Sequence, residues 1–182
     1  MENHQTAAQE TAVLGGGCFW CTEGVLQGLK GVQEVTPGYS GGHVENPSYE
    51  QVCQANTGHI EVVRVRFDPA LISFETLLKV FFATHDPTTL NRQGADVGPQ
   101  YASAIFCQTP EQKQVAQQVM AQVEQVLGAP VVTQLLEPAT FWPAETYHHD
   151  YYARNPMQGY CQFVIAPKMA KLRKEFSTLL AG

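Results

Sequence analysis

The 182-residue sequence predicts an α+β fold with a ferredoxin-like split βαβ core: an antiparallel or mixed sheet, helices on one side, long loops and a C-terminal extension. Three observations lead there. The first six elements marked out by propensity and hydrophobic period run β-α-β-β-α-β, the order of that unit. No repeat, low-complexity tract or linker divides residues 1–182, so they are read as a single domain. Apolar residues make up 44 % and charged residues 15 %, the balance of a globule. A chain this long buries roughly 70 % of its unfolded surface and needs no disulfide or metal staple.

Taken in order, residues 11–14 form a short strand that stops at Gly15, Gly16 and Gly17. A helix follows over 18–29 and closes at Gly31. Residues 32–39 form a second strand, broken by Pro37 and Gly38. The stretch 41–58 is rich in Gly, Asn, Pro and Ser and is read as a long loop. Residues 60–67 have high β propensity and partly alternate apolar with charged side chains, as a half-buried strand does. Ser73 caps a helix running to Thr84 with Phe74, Leu77, Leu78 and Phe81 on one face. A second loop covers 85–100 and a strand 101–107. Thr109, Pro110 and Gln112 make a capped helix start, and Val115, Val119, Val123 and Val126 carry its stripe to Gly128. A strand over 131–136 and a basic-faced helix over 167–180 complete the chain.

Charge and targeting exclude several function classes. A net charge of −6 and a pI near 5.4 argue against a nucleic-acid partner. Residues 1–10 are polar, carry two glutamates and lack the basic and apolar regions of a signal peptide; a flexible tail is expected there. The densest apolar run, 77–83, is broken by Lys79, so no membrane span is expected. Five cysteines, an odd number, do not fit a fully paired secreted framework. They point to thiols kept reduced in the cytoplasm.

The chemistry concentrates in Gly15-Gly16-Gly17-Cys18-Phe19-Trp20-Cys21. A glycine turn after a strand delivers Cys18 to a helix start, where free N–H groups and the positive dipole end favour thiolate. Cys21 lies one turn on, within reach of a disulfide. The segment lacks the Gly-Lys-Ser/Thr ending of a phosphate loop, and Trp20 stands where a dinucleotide fingerprint needs glycine. A zinc site would need a second Cys-x-x-Cys or a spaced His pair, which the chain lacks, and neither metal nor other cofactor is expected. His148-His149 would point apart on a helix and receive no ligand role. On these residues alone, a thiol–disulfide oxidoreductase and a zinc-dependent binding module remain open beside a thiol-based reductase.

Gly17-Cys18-Phe19-Trp20 closely resembles the signature of the A-type peptide methionine sulfoxide reductases, which act on the S epimer of the sulfoxide. Further matching segments are Gly38-Tyr39-Ser40-Gly41-Gly42, Asn46-Pro47-Ser48-Tyr49, Thr57-Gly58-His59-Ile60-Glu61, His85-Asp86-Pro87-Thr88, Arg92-Gln93-Gly94-Ala95-Asp96 and Gln100-Tyr101. The resemblance implies a single catalytic domain that reduces free and peptide-bound methionine sulfoxide and is recycled by thioredoxin or a similar dithiol. It implies Cys18 as nucleophile, Phe19 and Trp20 as the methyl pocket, and Glu61 as proton donor. It assigns Tyr49 and Tyr101 to the sulfoxide oxygen and Asp96 to organising water or peptide nearby. By strand pattern alone Glu61 would be read as exposed. The sulfenic acid left on Cys18 needs a second thiol. Many relatives have glycine where Cys21 stands and use a distal cysteine, which Cys161 in Gly159-Tyr160-Cys161 resembles. Cys21 is favoured because it is local, with Cys161 as alternative or second relay. Cys53 and Cys107 are read as packing residues.

Overall fold

A computed structural model describes residues 9–180. The elements are β1 (Glu10–Gly16), α1 (Phe19–Leu26), β2 (Val32–Ser40), α2 (Tyr49–Cys53), β3 (Ile60–Phe67), α3 (Phe74–Ala83), β4 (Arg92–Gln93), β5 (Asp96–Val97), β6 (Ser103–Phe106), α4 (Pro110–Leu127), β7 (Gln134–Leu136), β8 (Phe141–Pro143), α5 (Tyr151–Arg154) and α6 (Ala166–Glu175). Six strands form one sheet in the order β7-β6-β1-β3-β2-β8, while β4 and β5 make a separate ribbon. Every pairing in the large sheet is antiparallel except β6 with β7. The α+β class is therefore observed, on a mostly antiparallel sheet. The expected tail lies outside the described residues over 1–8, whereas Glu10 already opens β1.

Side-chain alternation gives the sheet two apolar faces. Ala12, Leu14, Val63, Val65, Phe67 and Ile105 join the main core beneath the helices. Val13, Ile60, Val62, Ala104 and Phe106 form a smaller cluster on the other face. Arg64 stacks over Phe141 there, 4.6 Å from the ring centroid. This parity settles where Glu61 points: it shares its face with Val63, Val65 and Phe67, so it enters the core side. The charged residues that made β3 look half-exposed, Arg64 and Arg66, are on the opposite parity.

The helices obey their caps. Ser73 Oγ accepts from the Thr76 amide at 3.1 Å, and Phe74, Leu77, Leu78 and Phe81 are buried on one face of α3. Thr109 caps α4 through the Gln112 amide, and Gly128 ends it in the left-handed region at φ 66°. The valine stripe of α4 is corrected in part. Ala116 and Val119 are buried, whereas Val126 is 85 % exposed, because α4 runs 18 residues against the 10 of α3 that it packs on.

Other boundaries also move. The 41–58 loop holds α2, whose N-cap Ser48 forms a capping box with Gln51. The 85–100 loop holds the β4–β5 ribbon. Tyr101 stands in a 3₁₀ turn ahead of β6 rather than in a strand. The final helix α6 is shorter than expected, preceded by a π-turn at Cys161–Ile165 and followed by a short 3₁₀ turn, Ser177–Leu179. No helix among the described residues is long and apolar enough to cross a membrane.

Because Tyr49 is the first residue of α2, the cap bears on the site. Ser48→Ala is expected to cost about 1 kcal/mol. For a chain of this size that lowers Tm by about 2–4 °C in a circular-dichroism melt. An unchanged melt would mean that α2 is held by its packing alone.

Candidate active site

The turn from β1 into α1 is made by Gly17, at φ +95°, where a Cβ would also meet Gln93 Cγ at 2.6 Å. This turn sets Cys18 at the N-cap of α1 and Cys21 one turn further on, its amide donating to the Cys18 carbonyl at 3.0 Å. Cys18 is 8 % exposed and Cys21 is buried. The two thiols are neighbours on one helical turn and influence each other's titration. Burial raises Cys18 well above an ordinary thiol, reinforced by the neighbouring Cys21 and the negative charge of Glu61. The neighbouring Cys18 lowers Cys21 to about 7 against its own burial, with Lys168 and the Tyr160 hydroxyl helping. The expectation of a thiolate at Cys18 is thus corrected. Desolvation works against the helix start at Cys18, and of the two thiols it is Cys21 that is shifted down.

Glu61 faces this pair from β3. It is 1 % exposed; its Oε1 accepts from the Phe19 amide at 3.1 Å and its Oε2 has no partner among the described residues. Burial pushes its pKa up to about 8, opposed by the Phe19 N–H and reinforced by Asp96 and Cys21. At neutral pH the carboxyl is protonated and its free oxygen is an available acid. Tyr49 and Tyr101 are half-buried, and both titrate well above a free tyrosine because of burial and the nearby Glu61. Their hydroxyls therefore stay protonated and can donate.

Aromatic rings wall the site. Phe19 is fully buried, with ring centroids 5.6 Å from Tyr39, 6.3 Å from Tyr49 and 5.2 Å from His148. Trp20 is half-buried and lies flat on Tyr151 at 3.8 Å and 6°. Its Nε1 donates to His148 Nδ1 at 3.0 Å, which leaves the imidazole proton on Nε2. Asp96 Oδ2 accepts from the Tyr160 hydroxyl at 2.7 Å, and that hydroxyl lies 3.4 Å from Cys21 Sγ. Cys161, next to Tyr160, is fully buried, and burial and the neighbouring Cys21 both raise its pKa.

The fold therefore gathers Cys18, Cys21, Phe19, Trp20, Tyr49, Glu61, Asp96 and Tyr101 around one cleft, with Cys161 behind Cys21. Cys107 is buried as expected, but Cys53 is not a packing residue: it ends α2 on the surface. Reading along the chain gave His148, Tyr151, Tyr160 and Glu145 no role in the chemistry. Glu145 accepts from the Tyr39 hydroxyl and the Tyr49 amide, both at 3.1 Å, and so ties α2 to β2. The available signal was the density of aromatic residues over 141–160. His149 Nε2 bonds the Ala144 carbonyl at 2.9 Å. Among the described residues no group of three or more His, Cys, Asp or Glu is placed to hold a metal ion.

Comparison with known proteins gives a coherent answer. The family model described as peptide methionine sulfoxide reductase matches residues 10–180. A peptide methionine sulfoxide reductase MsrA of Chromobacterium violaceum is 57 % identical over 173 residues, covering 94 % of this chain and 98 % of that protein. A counterpart from Thermus thermophilus is 56 % identical over 172 residues, again covering 94 % and 98 %. The crystal structure of reduced Mxr1 from Saccharomyces cerevisiae superposes with a TM-score of 0.78 at 31 % identity, covering 87 % of this chain and 92 % of that one. Since the match runs from the first strand to the last turn of the described fold, the chain belongs to the peptide methionine sulfoxide reductase family.

Proposed function

We propose that this chain, as one catalytic domain, reduces the S epimer of methionine sulfoxide, free and in peptides, through Cys18. The observation that carries the reading is the buried Glu61 carboxyl with its unpartnered oxygen beside Cys18, flanked by the Tyr49 and Tyr101 hydroxyls. A sulfoxide oxygen leaves poorly as an anion, so the reaction needs an acid at that point. Cys18 passes its proton to Cys21 as its sulfur bonds to the sulfoxide sulfur. Glu61 protonates the oxygen, and the two tyrosines donate hydrogen bonds to the charge growing there. Phe19 and Trp20 orient the methyl group, and Asp96 holds Tyr160 over the cleft. The protonated oxygen then passes from the methionine sulfur to the Cys18 sulfur as the bond between the two sulfurs breaks, so methionine leaves and Cys18 is left as a sulfenic acid.

Resolution then falls to Cys21, one helical turn from Cys18, its amide donating to the Cys18 carbonyl at 3.0 Å. The Cys18–Cys21 disulfide passes through Cys161 or directly to thioredoxin or a similar dithiol. The burial of Cys161 beside Cys21 supports its place as a second relay. The strand order β6-β1-β3-β2 with α1 and α3 between supports the ferredoxin-like reading of the core. Five free thiols, none paired among the described residues, suit a reducing cytoplasm.

With dithiothreitol, purified protein is expected to consume the S epimer of a methionine sulfoxide peptide and leave the R epimer, read by chiral chromatography. Peptide mapping after one turnover without reductant is expected to find Cys18–Cys21. Insulin reduction without sulfoxide turnover would overturn the function. A Cys18–Cys161 bond with no Cys18–Cys21 bond would overturn the order of thiols.

A further inference from the structure

We propose that Lys168, on α6, is a positioning residue for resolution: it lines the same small void as Cys21 and its positive charge holds that thiol ready to attack the sulfenic acid on Cys18. The proposal rests on Cys21 as resolving thiol. Its geometry is independent of that reading. A void of about 10 Å³, room for one water at most, lies beneath α1, lined by Gly16, Cys21, Thr84, His85 and Lys168 among others. Lys168 is fixed there because its Nζ donates to the Thr84 carbonyl at 2.8 Å, at the C-terminal end of α3. Lys171 donates to the neighbouring Ala83 carbonyl at 2.5 Å. Both lysines thus sit at a negative helix end, which fixes α6 against α3.

The other groups facing Cys21 offer no substitute cation. Cys18 lies on its own helix, Glu61 comes from β3, Asp96 from β5, and Tyr160 and Cys161 from the segment before α6. All are acids or neutral. His85, across the void, is held neutral by burial, its pKa lowered to about 4. A buried thiol among acids would ordinarily be pushed up and become a slow nucleophile. Among the described residues, Lys168 is the only cation lining the void.

In the step concerned, Cys21 sulfur bonds to Cys18 sulfur and the Cys18 S–O bond breaks. The departing hydroxide takes up the proton that Cys21 gave up and leaves as water. Cys21 is oxidised with Cys18 to the disulfide, and no outside oxidant is needed.

The test is single turnover with the S epimer of a methionine sulfoxide peptide in wild type, Lys168→Met and Lys168→Arg. Methionine release times the first step. Loss of dimedone-trappable sulfenic acid, with appearance of Cys18–Cys21 by mass mapping, times the second. In Lys168→Met the second step is expected to slow at pH 7, about tenfold for each unit by which loss of the cation raises a thiol that titrates above the assay pH. The first step, which uses Cys21 as proton acceptor, slows with it, so the second step is read by its own rate. Its pH midpoint is expected to move up, and Lys168→Arg to restore both rate and midpoint. A second-step rate and midpoint unchanged in Lys168→Met, in protein whose far-ultraviolet spectrum matches wild type, would overturn the proposal. So would a slower second step with an unmoved midpoint, the mark of a structural role alone. Failure of the underlying reading shows separately. In that case Cys21→Ser would lose its sulfenic acid at the wild-type rate.

Discussion

Cys18→Ser is expected to abolish methionine formation, by about 10⁴-fold or more, at every pH between 6 and 9. This holds although Cys21 beside it carries the lower pKa. Position decides the matter. Cys18 stands at the N-cap next to the Phe19 amide that holds Glu61, and its charge is among those felt by the Tyr101 hydroxyl. Cys21 lies a turn deeper against Tyr160 and the void. In the proposed mechanism the Cys21 thiolate takes the Cys18 proton before attack and attacks the sulfenic acid afterwards. The assay is chromatographic methionine release from the S-epimer peptide with dithiothreitol, and turnover retained in Cys18→Ser would transfer the first attack to Cys21.

Glu61→Gln is expected to slow the first step by about 10²–10⁴-fold, the usual worth of a positioned general acid. The sign of its pH dependence follows from a folded-state pKa near 8 against 4.5 for a free glutamate. Up to about pH 8 wild type keeps its acid while the variant depends on protons from solvent, so the gap widens as pH rises. Above 8 wild type loses the proton and the gap narrows. Stopped-flow methionine release across this range is the measurement, and an unchanged rate would mean that the proton comes from elsewhere. Stability carries the same signature. The raised pKa contributes stability fully present below about 4.5 and lost as pH rises through about 8. Glu61→Gln is therefore expected to gain Tm relative to wild type as the buffer moves from pH 5 to pH 8.

How far the fold was legible depended on the range of the interactions. The apolar periods of β1, β3 and α3, and the caps Ser73 and Thr109, are local and read directly. β8 was missed because Phe141–Pro143 is three residues on a sheet edge ending in proline, a pattern indistinguishable from loop. The capping box of α2 was present in the letters Ser48 and Gln51, but glycine and asparagine around it masked five helical residues. At the site, the residues named from a contiguous motif or from family resemblance lie near one another in the fold, and their roles belong to the proposed mechanism. Those missed meet it across the chain: Tyr160 lies 139 residues from Cys21, and His148 lies 128 from Trp20. The thiol pKa values were misjudged for a related reason, since burial is a tertiary property that the helix start at Cys18 does not announce.

The enclosure of α1 has a mechanical consequence. Apart from Trp20 its residues are all buried, including Glu23, whose Oε2 accepts from the Asp150 amide at 3.0 Å. A helix gripped on every side opens only with the whole core, so its hydrogen bonds belong to the most protected tier of the molecule. The segment over 145–180 is different: few of its side chains are buried, and it meets the catalytic helix and its surroundings through point contacts at His148, Asp150, Tyr160 and Lys168. The molecule thus divides into a stator that keeps Cys18 and Glu61 in register and a strap with a lower opening energy. Amide hydrogen exchange is accordingly expected to be slower over α1 than over 145–180.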